Sequence, residues 1–199
     1  MSPMIVWLEG EQEKFRSGLF PDDMSYYVDK DVVDKCRDAP GSMTTEAWRA
    51  LPAKGGYYLN LLVGYGPRDL AVEAVAQMLD EYPDTIWPFH GMLAVLGEDM
   101  IPTAIRTLER AVSHIGQGVY ANQIQIALHD IAPVRSARVA ELAIEVLAST
   151  AKPKVKALAK AWLVRHAVVA GPAVTAAVTS SDPKLRAAGK TAAKLLVDT

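Results

Sequence analysis

The run Ala137-Arg138-Val139-Ala140-Glu141-Leu142-Ala143-Ile144-Glu145-Val146-Leu147-Ala148, followed by Lys152-Pro153-Lys154-Val155-Lys156-Ala157-Leu158-Ala159-Lys160-Ala161-Trp162-Leu163-Val164-Arg165-His166, decides the fold. In the first half Val139, Leu142, Ala143, Val146 and Leu147 recur at i, i+3, i+4, i+7 and i+8. In the second half Val155, Leu158, Ala159, Trp162 and Leu163 repeat that template. This is the period of an amphipathic helix with one apolar stripe. Pro153 after Lys152 marks a helix start, because the first helical position needs no N–H. Two such helices joined by Ser149-Thr150-Ala151 read as an antiparallel pair.

The same signals extend in both directions. Ile101, Ala104, Ile105, Leu108 and Val112 form an approximate stripe upstream, and Leu185, Ala188, Ala192, Leu195 and Leu196 form one downstream. Asp182-Pro183 places an acid at the N-cap and proline just inside. Helices are expected over 57–63, 67–82, 84–96, 99–115, 119–131, 136–148, 153–166, 168–179 and 183–197. No period-2 run of β-branched residues interrupts them, so the chain reads as all-α. Pro102 and Pro172 lie 70 residues apart, each expected just inside a helix, and a helix starts at Ala137 halfway between. That implies a unit of about 35 residues, in the range of helical repeats. The expected architecture is an α-solenoid of HEAT-like antiparallel helix pairs over 57–199, with an irregular helical cap over 1–56.

The cap expectation comes from closely spaced turn signals at Pro21-Asp22-Asp23, Ala39-Pro40-Gly41-Ser42 and Leu51-Pro52-Ala53-Lys54-Gly55-Gly56. Short helices are expected over Met4 to Phe15 and Tyr27 to Cys36, and one ending at Trp48 capped by Thr44 or Thr45.

Composition agrees with helix-on-helix packing. Of 199 residues half are hydrophobic but only 7% aromatic, so small aliphatic side chains carry the core and let helices approach closely. The single Cys36 excludes an internal disulfide framework and fits a reducing compartment. Glu9 interrupts what would be the apolar core of a signal peptide, and no stretch reaches the roughly 18 apolar residues of a membrane span. A cytoplasmic protein without membrane contact is expected.

Sequence chemistry points away from catalysis. His90, His114, His129 and His166 are never three or four residues apart, and no Cys pair exists, so no zinc site is recognisable. His129-Asp130 reads as a helix terminus. Lys35 and Arg37 beside Cys36 could lower its pKa, but no motif would use the thiolate, and a packed Cys is expected. Gly64-Tyr65-Gly66 and Gly116-Gln117-Gly118 lack the strand and the Lys-Ser/Thr pair of a phosphate loop and read as helix C-cap turns with positive φ. Trp87-Pro88-Phe89-His90 reads as core filling. No enzyme activity and no cofactor are expected.

Charge supplies the remaining signal. Residues 1–50 and 51–149 carry formal charges of −4 and −5, whereas 150–199 carry +7. Lys152, Lys156 and Lys160 fall at i, i+4 and i+8, as do Arg186, Lys190 and Lys194. Both triplets avoid the apolar stripes, so two solvent-facing basic ridges side by side are expected, available to an acidic protein, a neighbouring domain or, as the second reading, nucleic acid.

Lys152-Pro153-Lys154-Val155, Ala161-Trp162-Leu163-Val164-Arg165-His166, Gly171-Pro172, and Asp182-Pro183-Lys184-Leu185-Arg186-Ala187-Ala188 to Leu195-Leu196 resemble the helical-repeat region of bacterial proteins of the molybdate-metabolism-regulator (MolR-like), WGR-associated family. The resemblance covers about the last hundred residues; Ala167 stands where family members usually have proline. It implies a piece of a longer polypeptide and supplies no catalytic residues. The combined expectation is a non-catalytic interaction scaffold, with a nucleic-acid-binding helical module as the alternative and glycosylase-like activity a distant third.

Overall fold

The computed structural model describes residues 2–19, 28–81, 90–117 and 122–197, and these are mostly helical. The chain forms two compact units, one of residues 7–103 and one of residues 1–6 with 104–199.

The 7–103 unit is built from helices that run from 6 residues in the shortest to 14 in the longest. These are α1 (Glu11–Ser17), α2 (Lys30–Asp38), α3 (Thr45–Ala50), α4 (Gly56–Tyr65), α5 (Arg68–Glu81) and α6 (His90–Leu96). Asp29 caps α2, its carboxylate accepting from the Asp31 N–H at 3.0 Å, and Thr44 caps α3 by accepting from Ala47 at 3.2 Å. Helix α4 is apolar around much of its circumference, with Leu59, Leu61, Leu62 and Val63 all buried, which makes it the central helix of the unit. Helices α2, α5 and α6 pack against it, and α1 packs on α6. That last approach needs a glycine: a Cβ on Gly91 would stand 2.8 Å from the Leu19 Cβ. The α5 amino end is tied to the turn after α6 by Arg68, which pairs with Asp99 at 2.7 Å and donates to the Leu96 carbonyl.

The other unit holds most of α7 (Ile101–Ser113), then α8 (Gln123–Asp130), α9 (Ala137–Ala148), α10 (Pro153–Arg165), α11 (Ala167–Val178) and α12 (Pro183–Val197). Helix α9 is its hub. Val139, Ala140, Leu142, Ala143, Ile144, Val146 and Leu147 are all buried, and α10, α11 and α12 pack around it. Each fully buried Leu or Val contributes on the order of 1.5–3 kcal/mol. Arg138 joins α9 to α7 by pairing with Glu109 at 2.7 Å, while also meeting Glu141 on its own helix at 2.9 Å; these acids raise its pKa. Asp182 caps α12 as expected, accepting from Lys184 and Leu185 at 2.7 and 3.3 Å.

Several expectations are corrected. Residues 4–15 are not one helix: Met4–Ile5 form strand β1, antiparallel to β2 (Val134–Arg135), and α1 starts only after Gly10, whose φ of +71° breaks the chain direction. Pro172 is not at a helix start. Helix α11 begins directly after His166, bent 117° from α10, so Pro172 lies in its interior. It is tolerated on an exposed side, with Val168, whose carbonyl loses a partner, also exposed. Pro102, the second residue of α7, is therefore not its structural equivalent. Leu158 and Leu195 are half-buried rather than core. In α10 the buried face centres on Val155, Ala159, Trp162 and Leu163, leaving Leu158 at its edge. In α12 the centre is Ala188, Gly189 and Ala192, because a Cβ on Gly189 would come within 2.6 Å of the Val178 backbone nitrogen. The larger side chains are displaced to the flanks.

Gly66 closes α4 as expected, but at φ −88°, so its reason is space: a Cβ would meet Leu62 and Trp48 at 2.6 to 3.0 Å. Gly116 does have positive φ, +94°. The expected turn at 21–23, the starts of helices expected at 27, 84 and 119, the aromatic run 87–89 and Gly118 lie outside the described residues.

Candidate functional site

Helices α10 and α12 carry the six basic residues singled out by spacing. Lys152 is exposed at the N-cap of α10, and Lys190 and Lys194 are exposed on α12. Lys156, Lys160 and Arg186 are half-buried, so the two triplets are not uniform solvent-facing ridges. Arg186 is also occupied structurally, donating to the Ser180 carbonyl at 2.9 Å and closing the turn between α11 and α12. The strict four-residue spacing misleads because a helix turns 400° in four residues, so each step drifts 40° around the axis. On α12 the fully exposed line runs instead through Ala187, Lys190, Lys194 and Val197, at i, i+3, i+7 and i+10. Val197 is 85% exposed, an apolar residue at the end of a basic line. Lys152 also borders a small cavity of about 170 Å³ with His114, Thr150 and Val155.

The 7–103 unit contains a larger feature that spacing alone did not reveal. A cleft of about 510 Å³ opens between α3, the turn at Pro52–Lys54, α4 and α5. Its floor is apolar, with buried Leu59, Leu62 and Leu70; its rim carries exposed Arg49, Glu73 and Glu81. Glu73 and Glu81 are two turns apart on α5, about 12 Å along the axis. Gln77 lies between them and donates to Glu81 at 2.7 Å. The available signal was Glu73, Gln77 and Glu81 at i, i+4, i+8, an outer polar line that in isolation reads as a solvated helix face.

The histidines have structural surroundings. His114 Nδ1 lies 2.8 Å from the Arg110 carbonyl, and His129 lies at the end of α8, 3.3 Å from Asp130. His90 packs beside Phe15. His166 is buried, its ring tilted 46° against Trp162 with centroids 4.6 Å apart, and its Nε2 lies 2.8 Å from the Ala132 carbonyl oxygen. Trp162 donates its indole N–H to the Val134 carbonyl at 3.2 Å, and Arg165 donates to the Val6 carbonyl at 2.5 Å. The Trp-Leu-Val-Arg-His segment thus serves as a clamp on residues 132–134 and on the strand at the amino terminus. Cys36 is fully buried, and desolvation pushes its thiol pKa up against the smaller opposing influence of Lys35. That leaves it protonated and unreactive.

The units differ in charge. Residues 7–103 contain seventeen acids and eight bases, a formal −9; residues 1–6 with 104–199 contain six acids and thirteen bases, +7. Among the described residues no single helix is long and apolar enough to cross a membrane. The chain matches no known family model, no curated protein and no solved structure.

Proposed function

We propose that this chain is a non-catalytic helical interaction module whose α10–α12 surface docks an acidic protein or neighbouring domain. The observation that carries the reading is the exposed line Lys190–Lys194–Val197 on α12, adjoining a helix that presents Lys152. Basic side chains steer an acidic partner, and the terminal valine gives it an apolar anchor. The packing of α9 with α10, of α11 with α12, and of α9 with α11 supports stacked helix pairs as the framework, the HEAT-like arrangement expected from periodicity. The resemblance to the MolR-like repeat region is in keeping with a module that works inside a larger polypeptide, in a cytoplasmic setting.

Nucleic acid is the second reading, favoured by the same lysines. It is weakened by the partial burial of Lys156, Lys160 and Arg186, which leaves fewer cations to displace counterions from phosphates. The test compares binding to polyglutamate and to duplex DNA between about 50 and 300 mM salt, with Lys152, Lys190 and Lys194 changed to Glu. Polyglutamate bound more tightly than DNA, with loss in the variant, is the expected result. Binding of neither, or binding indifferent to the substitutions, removes the basic surface as a docking site.

A further inference from the structure

Resting on that reading, we propose that the acidic partner of α12 is the α4–α5 cleft of a second copy of this chain. The two surfaces are complementary in three respects. The cleft presents Glu73 and Glu81 along one wall, and α12 presents Lys190 and Lys194 one turn apart on its outer line. The cleft floor is apolar through Leu59, Leu62 and Leu70, and the α12 line ends in Val197, an aliphatic side chain that is 85% exposed. The third match is steric: the outer line of α12 begins at exposed Ala187, whose small side chain lets that end of the helix approach a wall closely. At about 510 Å³ the cleft is within the range that accommodates a compact ligand or a few side chains of a docked helix.

The opposite charges of the two units extend this match beyond the contact residues. A −9 unit in one copy attracts a +7 unit in another, so encounter is accelerated and oriented at low salt. The contact joins two different surfaces, so it is heterologous and propagates to further copies unless the rotation closes a ring. Arg49, also at the cleft, disfavours entry of the helix in a register that brings a lysine against it.

Sedimentation velocity of the full chain over a hundredfold concentration range, at about 50 and about 500 mM salt, tests the idea. Species larger than monomer at low salt, dissolving at high salt, are expected. Glu73→Lys with Glu81→Lys, and separately Lys190→Glu with Lys194→Glu, are each expected to weaken association by about tenfold or more, with circular dichroism confirming retained helix. Mixing the two charge-reversed proteins restores assembly, because the basic α12 of the first meets the unaltered cleft of the second. A wild-type chain that stays monomeric throughout, or reversed proteins that fail to assemble when mixed, overturns the proposal. If polyglutamate still binds the monomeric chain through Lys190 and Lys194, the interaction-module reading stands and only the choice of partner falls.

Discussion

The two units solve the same packing problem with different materials. Apart from α5, the 7–103 unit uses helices of ten residues or fewer, and it fills its centre with large side chains such as Phe15, Trp48 and the leucines of α4. The 104–199 unit uses longer helices and lets backbones approach through Ala140, Ala143, Ala159, Ala170, Gly189 and Ala192, with Trp162 as its largest buried residue. Aromatic side chains take a larger part in the first core, and alanine and glycine seams a larger part in the second. Charge divides along the same line, acids on the irregular unit and bases on the regular one.

The largest expected effect separates the units directly. Removing residues 1–56 deletes Phe15, Trp48 and Leu51 from the first core together with strand β1. Circular dichroism should show loss of the helices around α4 with α9–α12 still helical. Complete unfolding would show that the two cores are energetically one, and would remove the contrast between them.

Trp162→Ala follows. It vacates a fully buried site and strips the Val134 carbonyl of its donor, for an expected loss of about 3–5 kcal/mol in urea denaturation. An unchanged midpoint would mean that the second unit does not depend on its one large side chain. Gly189→Ala is smaller in chemistry yet still costs about 1–3 kcal/mol, since the new methyl meets backbone that can yield only by moving α12 away from α11. Tolerance of alanine there would show that the seam is loose.

How much of this was legible follows the same division. Helices α9, α10 and α12 were readable to within a residue of their bounds, because long amphipathic periods mark all three and Pro153 and Asp182 mark the starts of the last two. Residues 2–10 were not readable. A two-residue strand has no period, and its pairing with Val134–Arg135 depends on a partner about 130 residues away. The cap on α3 was legible as Thr44 or Thr45, of which Thr44 forms it, yet the approach of Trp48 to Gly66 was not, since contact between segments leaves no local mark. For the candidate surface, the four-residue spacing led to an expectation of six solvent-facing bases, of which Lys152, Lys190 and Lys194 are exposed and Lys156, Lys160 and Arg186 are half-buried. Lys190 and Lys194 are exposed; Arg186, at the same interval, spends its guanidinium on a turn. The cleft in the acidic unit escaped notice because, although residues 49–81 line it in one run, how the successive helices fold back on one another leaves no mark in residue spacing.

The smallest effect concerns the surface of α2. Arg37 hydrogen-bonds Asp38 at 2.7 Å and also pairs with Asp34, which holds the Asp38 carboxyl below its ordinary value. The sign is fixed by that depression: any stabilisation is present above the unfolded carboxylate pKa and fades as pH falls through the lower folded value. Both groups are exposed, so the change in melting is expected to be slight. Arg37→Ala should raise the Asp38 pKa in an NMR titration; an unmoved value would show that the pair does not persist in solution.

The strand at residues 4–5 sets a timetable for synthesis. Its main-chain partners are at 133–135, and Arg165, which holds the Val6 carbonyl, is encoded later still. A ribosome adding about 5–20 residues per second leaves those first residues without their final neighbours for on the order of ten seconds or more. During that interval α1 to α6 can already collapse around α4. Residues 4–6 are thus made well before their partners and are among the last to find their place, so a segment fused directly ahead of Met4 is expected to disturb the 104–199 unit before it disturbs the helices that follow it directly.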